Sequence, residues 1–452
     1  VRTDLRLAWL LVRGSDRREW WRIALTAVGA MCATGLGLAA AVLATVRGQY
    51  SFSVGNGLLD QPGERSGVIV TLLLLLVPVL GFLGQCARIG AVHRDRRTAV
   101  LRLAGAEPGR VRRIAALETG PACLLGSALA TAGAGAALVA VWERPTASAW
   151  AGMALVAVVV PVLGTAAGVL ALRRVVASPL GWVRRSHERR ESRGPALIFV
   201  GGLLVVGVVA LGAVAGTSAD SRNSGLARGP VIVLAAVLAV GAGAVWLTGA
   251  LSRLTGRLLA ARTGSPAVLI AAERLRDDPW AAARTHAAVL LVTVVGTGYM
   301  GVRQGMLTEL EDMRRRQTLG MNMSFYTTGL NLTATAIAVA LAIVLTALAV
   351  GTAESVATRR RALAAQVAAG VPRRVLARAL LLETALPLAP AVLVAGIGGL
   401  AIGVWYGLLI SGTVPYTALL VPAGVYATCL LATAASLPLL HRSARPAELR
   451  YA

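Results

Sequence analysis

Few residues in this chain are equipped for chemistry, and those few recur in one pattern. Glu118 and Glu383 each follow a cluster of arginines: Arg94, Arg96, Arg97 and Arg113 before the first, and Arg359, Arg360, Arg361, Arg373, Arg374 and Arg378 before the second. Each glutamate stands thirteen residues after a glycine, Gly105 or Gly370, and about one turn inside an apolar run. A carboxylate in that position is costly unless it is paired or wet. The expected partners are local arginines, Arg113 or Arg378 on the same helix or the basic cluster just upstream. The glutamates therefore read as ion pairs holding a bend, in preference to a proton or substrate site.

Other reactive groups form no constellation. His93, His187, His286 and His441 fall at the ends of apolar runs or in polar loops, and the chain has no H-E-x-x-H and no G-x-S-x-G motif. Cys32, Cys86, Cys123 and Cys429 lie inside apolar runs without a C-x-x-C pair. They read as small hydrophobes, not as a metal site or a disulfide framework. All 45 basic residues are arginine. Without lysine there is no P-loop, Schiff base or Ser–Lys dyad in this chain. No catalytic, cofactor or metal site is expected, and the chain does not read as an enzyme.

The elements that must position these residues are membrane spans. Of 452 residues, 56% are hydrophobic and only 15% charged, against about a quarter charged in ordinary soluble domains. Ten apolar runs reach the roughly 20 residues needed to cross a bilayer, at 23–46, 66–87, 114–142, 149–172, 196–216, 230–250, 286–305, 329–353, 380–408 and 416–440. The fold class expected is all-α, a polytopic membrane protein with about ten transmembrane helices. The first run is too long for a signal-peptide core and reads as a retained span. Ahead of it, Leu5, Leu7, Trp9, Leu10 and Leu11 are mixed with Arg2, Arg6 and Arg13, which reads as a helix lying in the headgroup plane with Trp20 and Trp21 as anchors.

Arginine placement sets the orientation. With the N-terminus inside, the cytoplasmic segments hold 36 of the 45 arginines, which by the positive-inside rule places both termini in the cytoplasm. The same bias accounts for the net charge of +24 through anionic headgroups, so the lipid bilayer is the expected partner and nucleic acid is not. The longest external loops, near 47–65 and 306–328, hold only about 20 residues each, too few for a folded domain. The second carries Glu309, Glu311 and Asp312 beside Arg314, Arg315 and Arg316, which reads as a solvated extension of the seventh helix.

The strongest signal is a match of the chain to itself. HRDRRTAVLRLAGAEPGRVRRIAALET, from His93, aligns without a gap onto TRRRALAAQVAAGVPRRVLARALLLET, from Thr358, with nine of 27 positions identical; chance would give about two or three. Spans 2–4 and 8–10 are thus expected to be one three-helix unit used twice. With ten spans both copies run in the same direction, related by an axis along the membrane normal. The organisation expected is 1–65, interfacial helix and first span; 66–180, first repeat; 181–328, central spans 5–7; and 329–452, second repeat with a short tail. Within each repeat a short amphipathic helix is followed by a break at Gly105 and Pro108, or Gly370 and Pro372, and then by a helix that enters the membrane. That is an elbow at the base of a span.

The succession of basic run, AGAEPGRV or AGVPRRV, and a helix opening with ALET or LLET resembles the FtsX-like permease family, the membrane subunits of ABC transporters of the MacB, lipoprotein-releasing and bacitracin-efflux type. The resemblance covers both repeats, about 220 residues, and extends more loosely to ASPLGWVRRS and AAERLRDDPWAAART in the central region. It implies that the two elbows contact a separate ABC ATPase, in two copies, which supplies ATP and Mg. The chain departs from the family at Thr98 and Leu363, where the usual acidic residue of the basic run is missing, and in its short external loops. A hydrophobic or amphiphilic substrate (peptide, antibiotic or lipid) is implied. Two other readings stay open: an ion- or proton-coupled secondary transporter, and an ATPase-coupled resistance sensor without net transport. The cytoplasmic membrane is the expected location.

Overall fold

The computed structural model describes residues 17–48, 59–60, 62–86, 105–142, 145–171, 224–410 and 415–438. Among them every regular element is helical: α1 (Arg17–Thr45), α2 (Pro62–Cys86), α3 (Pro108–Val141), α4 (Ala147–Ala171), α5 (Ser224–Arg262), α6 (Pro266–Asp277), α7 (Pro279–Arg315), α8 (Met323–Thr358), α9 (Arg360–Ala368), α10 (Arg373–Ile410), a 3-10 turn at Thr417–Leu419 and α11 (Leu420–Ala434). Among the described residues, eight helical stretches are long and apolar enough to cross a membrane: Ile23–Thr45, Gly120–Ala140, Ala147–Ala166, Ala235–Arg262, Thr285–Arg315, Met323–Thr358, Arg373–Trp405 and Thr417–Ala434. They match eight of the ten expected runs, and the chain has the composition of an integral membrane protein. The run at 66–87 forms α2, whose apolar part Arg65–Leu76 is shorter. The run at 196–216 and the N-terminal interfacial helix ahead of Arg17 lie outside the described residues.

The chain divides into two compact units, Val1–Arg47 with Leu72–Arg190 and Gly48–Thr71 with Glu191–Ala452. In the first, α1 packs along α3 and α4, and α3 along α4. Small residues allow this: a β-carbon on Gly126 of α3 would sit 2.1 Å from the Ala27 carbonyl oxygen of α1, so the two backbones touch. Outward, Leu124, Leu125 and Leu129 of α3 and Leu155, Val158 and Val162 of α4 are more than half exposed, a surface suited to lipid.

In the second unit α7 is the central helix, packed on α10, α5 and α8. Its most apolar stretch is 67% buried, against 17% for α4. The glycine-rich run of α10 makes the fit. Gly396 meets Pro422, Gly398 meets Val240, Gly399 meets the Val294 carbonyl and Gly403 meets Gly301, so the small residues serve close helix packing as their composition predicts. With 37 residues, α7 is about 55 Å long at roughly 1.5 Å per residue, well beyond a hydrocarbon core of about 30 Å. Its last turns hold Glu309, Glu311, Asp312, Arg314 and Arg315, the expected extension of the seventh helix.

One charge is buried away from the elbows. Arg65, at the start of α2, is 1% exposed; its guanidinium donates to the carbonyls of Gly48 (2.7 Å), Leu59 (2.9 Å) and Asp60 (3.0 Å). It pins the turn that precedes α2.

Candidate coupling elbow

The second elbow is complete in the structure. α8 ends at Thr358, and Arg359 turns the chain (φ −95°, ψ 9°) into the nine-residue α9. At its far end the Gly370 N–H donates to the Val367 carbonyl and the Val371 N–H to that of Gln366, both at 3.0 Å. This pair of bonds is a Schellman closure, and it sets Gly370 at φ +91°, the left-handed region where a side chain is strained. Pro372 follows, its carbonyl accepting from Val375 and Leu376 as α10 starts.

Why α9 lies where it does follows from its sequence. Leu363 and Ala364 are buried. Leu363 joins Val356 of α8 and Leu376 of α10 in a small core, against which Ile270, Val367, Val371, Ala377 and Leu380 pack. The opposite face, with Arg361, Ala362, Ala365, Ala368 and Ala369, is exposed, as are Gly370, Pro372, Arg373, Arg374 and Arg378. α9 is thus a short amphipathic helix whose exposed face is mostly alanine, with exposed arginines at Arg361 and, past the glycine, at Arg373, Arg374 and Arg378.

Glu383 locks the back of the elbow. Its carboxylate receives Arg274 Nη1 at 2.6 and 2.8 Å, one oxygen each, and Arg359 Nη1 at 3.0 Å. The glutamate side chain is 17% exposed and that of Arg274 25%, so the bonds are partly desolvated and charge-assisted. Of the expected partners, the upstream cluster supplies Arg359, whereas Arg378 is exposed. The other partner, Arg274, comes from α6, which lies 109 residues earlier and outside both sequence repeats. Helical spacing from Glu383 cannot reveal it; the only hint is that α6 is amphipathic, with Ala267, Ala271, Ala272 and Leu275 buried.

Of the first elbow, Arg94, Arg96 and Arg97 lie outside the described residues. Gly105 is at φ +89°, beside +91° for Gly370, so both glycines take the left-handed φ. Pro108 is the first residue of α3. In the alignment that lays His93 on Thr358 it falls on Arg373, the first residue of α10. Arg113 is exposed, and Glu118 lies in α3.

Elsewhere the chemistry is sparse. His286 is buried in α7, Cys86, Cys123 and Cys429 are buried and Cys32 half-buried, all as thiols. Among the described residues no group of His, Cys, Asp and Glu is arranged to hold a metal ion. No family model matches the chain, and no curated protein or solved structure matches it.

Proposed function

We propose that the chain is the membrane-spanning permease subunit of an ABC transporter, coupling ATP hydrolysis by a separate ATPase dimer to export or extraction of a hydrophobic or amphiphilic substrate such as a peptide, an antibiotic or a lipid. The observation that carries the reading is the elbow. A short helix flanked by exposed arginines is tied by a left-handed glycine and a partly buried ion pair to the base of a long apolar helix. A push on α9 has to reach α10, because Leu363, Leu376 and Glu383 tie the two together. These 452 residues contain no lysine and so cannot build a P-loop, which puts the motor outside them.

The repeat belongs to this reading. With His93 laid on Thr358, α3 starts where α10 starts, and α1, α2 and α4 overlap α7, α8 and α11. The duplicated unit is therefore better drawn with four helices than with three, since α1 packs on α3 and α4 as α7 packs on α10 and α11. Two elbows on one chain suit a two-fold ATPase dimer, whose closure displaces one unit relative to the other. In this arrangement the chain has ten spans in the cytoplasmic membrane, both termini and both elbows inside.

The test is uncoupling. Proline holds φ firmly negative, so Gly105→Pro with Gly370→Pro abolishes the left-handed conformation at both positions. In nanodiscs with the ATPase that co-purifies, substrate-stimulated hydrolysis is expected to fall to the unstimulated rate in the double variant while ATPase binding persists. Wild-type stimulation in that variant would contradict the proposal.

A further inference from the structure

We infer that Arg274 is a positioning residue of the second elbow, and that through it α6 acts as a strut making α9 and the bases of α10 and α7 move as one body. The inference rests on the coupling role proposed above, but its structural half can be judged without any ATPase.

α6 is held on three sides. Toward α5, the Ala272 carbonyl lies 3.0 Å from where a β-carbon on Gly256 would be, so the helices are in backbone contact. Toward α7, only Asp278 separates the last residue of α6 from the first of α7, and just beyond that joint the Trp280 ring covers Gly249 of α5, 2.7 Å from its would-be β-carbon. Toward the elbow, Ile270 packs on the core of Val356, Leu363 and Leu376, and Arg274 grips both oxygens of Glu383.

The division of labour between the two arginines gives Arg274 its role. Arg359 is the hinge residue between α8 and α9, 40% exposed, and takes one carboxylate oxygen. A rotation of α9 about Arg359 strains that bond first. Arg274, better buried and fixed to a helix that does not belong to the elbow, keeps the carboxylate neutralised while α9 moves. Removing one partner from a poorly solvated ion pair leaves the other uncompensated, so without Arg274 each displacement of α9 exposes an unpaired Glu383. The elbow then loosens locally instead of transmitting.

The experiment is hydrogen exchange on the full-length protein in nanodiscs, comparing wild type, Arg274→Gln, Arg274→Lys and the charge swap Arg274→Glu with Glu383→Arg. Arg274→Gln should speed exchange in residues 360–368 by about tenfold or more while residues 385–405 stay protected. The swap should bring 360–368 back to within about threefold of wild type, and Arg274→Lys should fall between. Unchanged exchange at 360–368 in Arg274→Gln would overturn the strut. So would loosening spread evenly through every helix with no recovery in the swap, which would mark a merely stabilising contact. With the co-purifying ATPase added, Arg274→Gln should still bind it but lose stimulated turnover; loss of binding would make Arg274 a docking contact and overturn the positioning role. Failure of the wild-type protein to bind any ATPase would defeat the coupling reading while leaving the exchange result to judge the strut.

Discussion

Gly370 shows how a single position can be tested for conformation alone. Its φ of +91° requires the left-handed region, yet nothing lies within 4 Å of the β-carbon it lacks. A substitution there meets strain but no collision. Gly370→Ala should therefore cost about 1 to 2 kcal/mol, Gly370→Asn less, because asparagine tolerates this region, and Gly370→Val more. Thermal unfolding in detergent reads the order; equal stability of the Asn and Val variants would argue against the closure. The glycine and the glutamate were both legible in the sequence, because their spacing repeats. Arg274 and Arg65 were not. Arg274 meets its partner across 109 residues, and Arg65 satisfies backbone carbonyls, whose positions no side-chain pattern encodes.

At the scale of elements, hydropathy located eight helices long and apolar enough to cross a membrane, but not their ends. The sixth run was expected at 230–250, whereas α5 continues to Arg262, and the ninth was expected from 380, whereas α10 starts at Arg373. The apolar signal marks the stretch suited to lipid, and a helix continues past it wherever backbone bonding and an amphipathic face allow. Helix contacts were legible only as composition: a glycine-rich run predicts close packing without saying which glycine touches what. The structure separates them. A β-carbon on Gly403 would fall 3.1 Å from the Gly301 α-carbon, whereas one on Gly133 meets nothing. Gly403→Leu should part α7 from α10 and lower the unfolding temperature, while Gly133→Ala should be neutral or stabilising by about 0.5 to 1 kcal/mol, the gain of alanine over glycine within a helix. Equal effects of the two changes would show that the α7–α10 seam does not depend on its small residues.

For the molecule as a whole, the arginine distribution and the duplicated segment carry more than any one residue. A charge of +24 in a soluble protein would suggest nucleic acid; beside eight described helices long and apolar enough to cross a membrane it suits an anionic bilayer surface, and in the second elbow it places exposed arginines next to α9. The structure adds how α9 is held. α9 satisfies its own apolar side with Leu363 and Ala364 and its end with the Gly370 closure, while Ala362, Ala365 and Ala368 on its other side are exposed. What touches α9 in the assembled membrane is therefore decisive. A photoreactive benzoylphenylalanine at exposed Ala365, in the full-length protein in its native membrane, gives the direct measurement, with the same group at buried Ala364 as control. A coupling elbow predicts a nucleotide-dependent crosslink from position 365 to an ATP-binding chain and none from position 364. Crosslinks from 365 only to lipid or to this chain itself, with an active ATPase present, would contradict it.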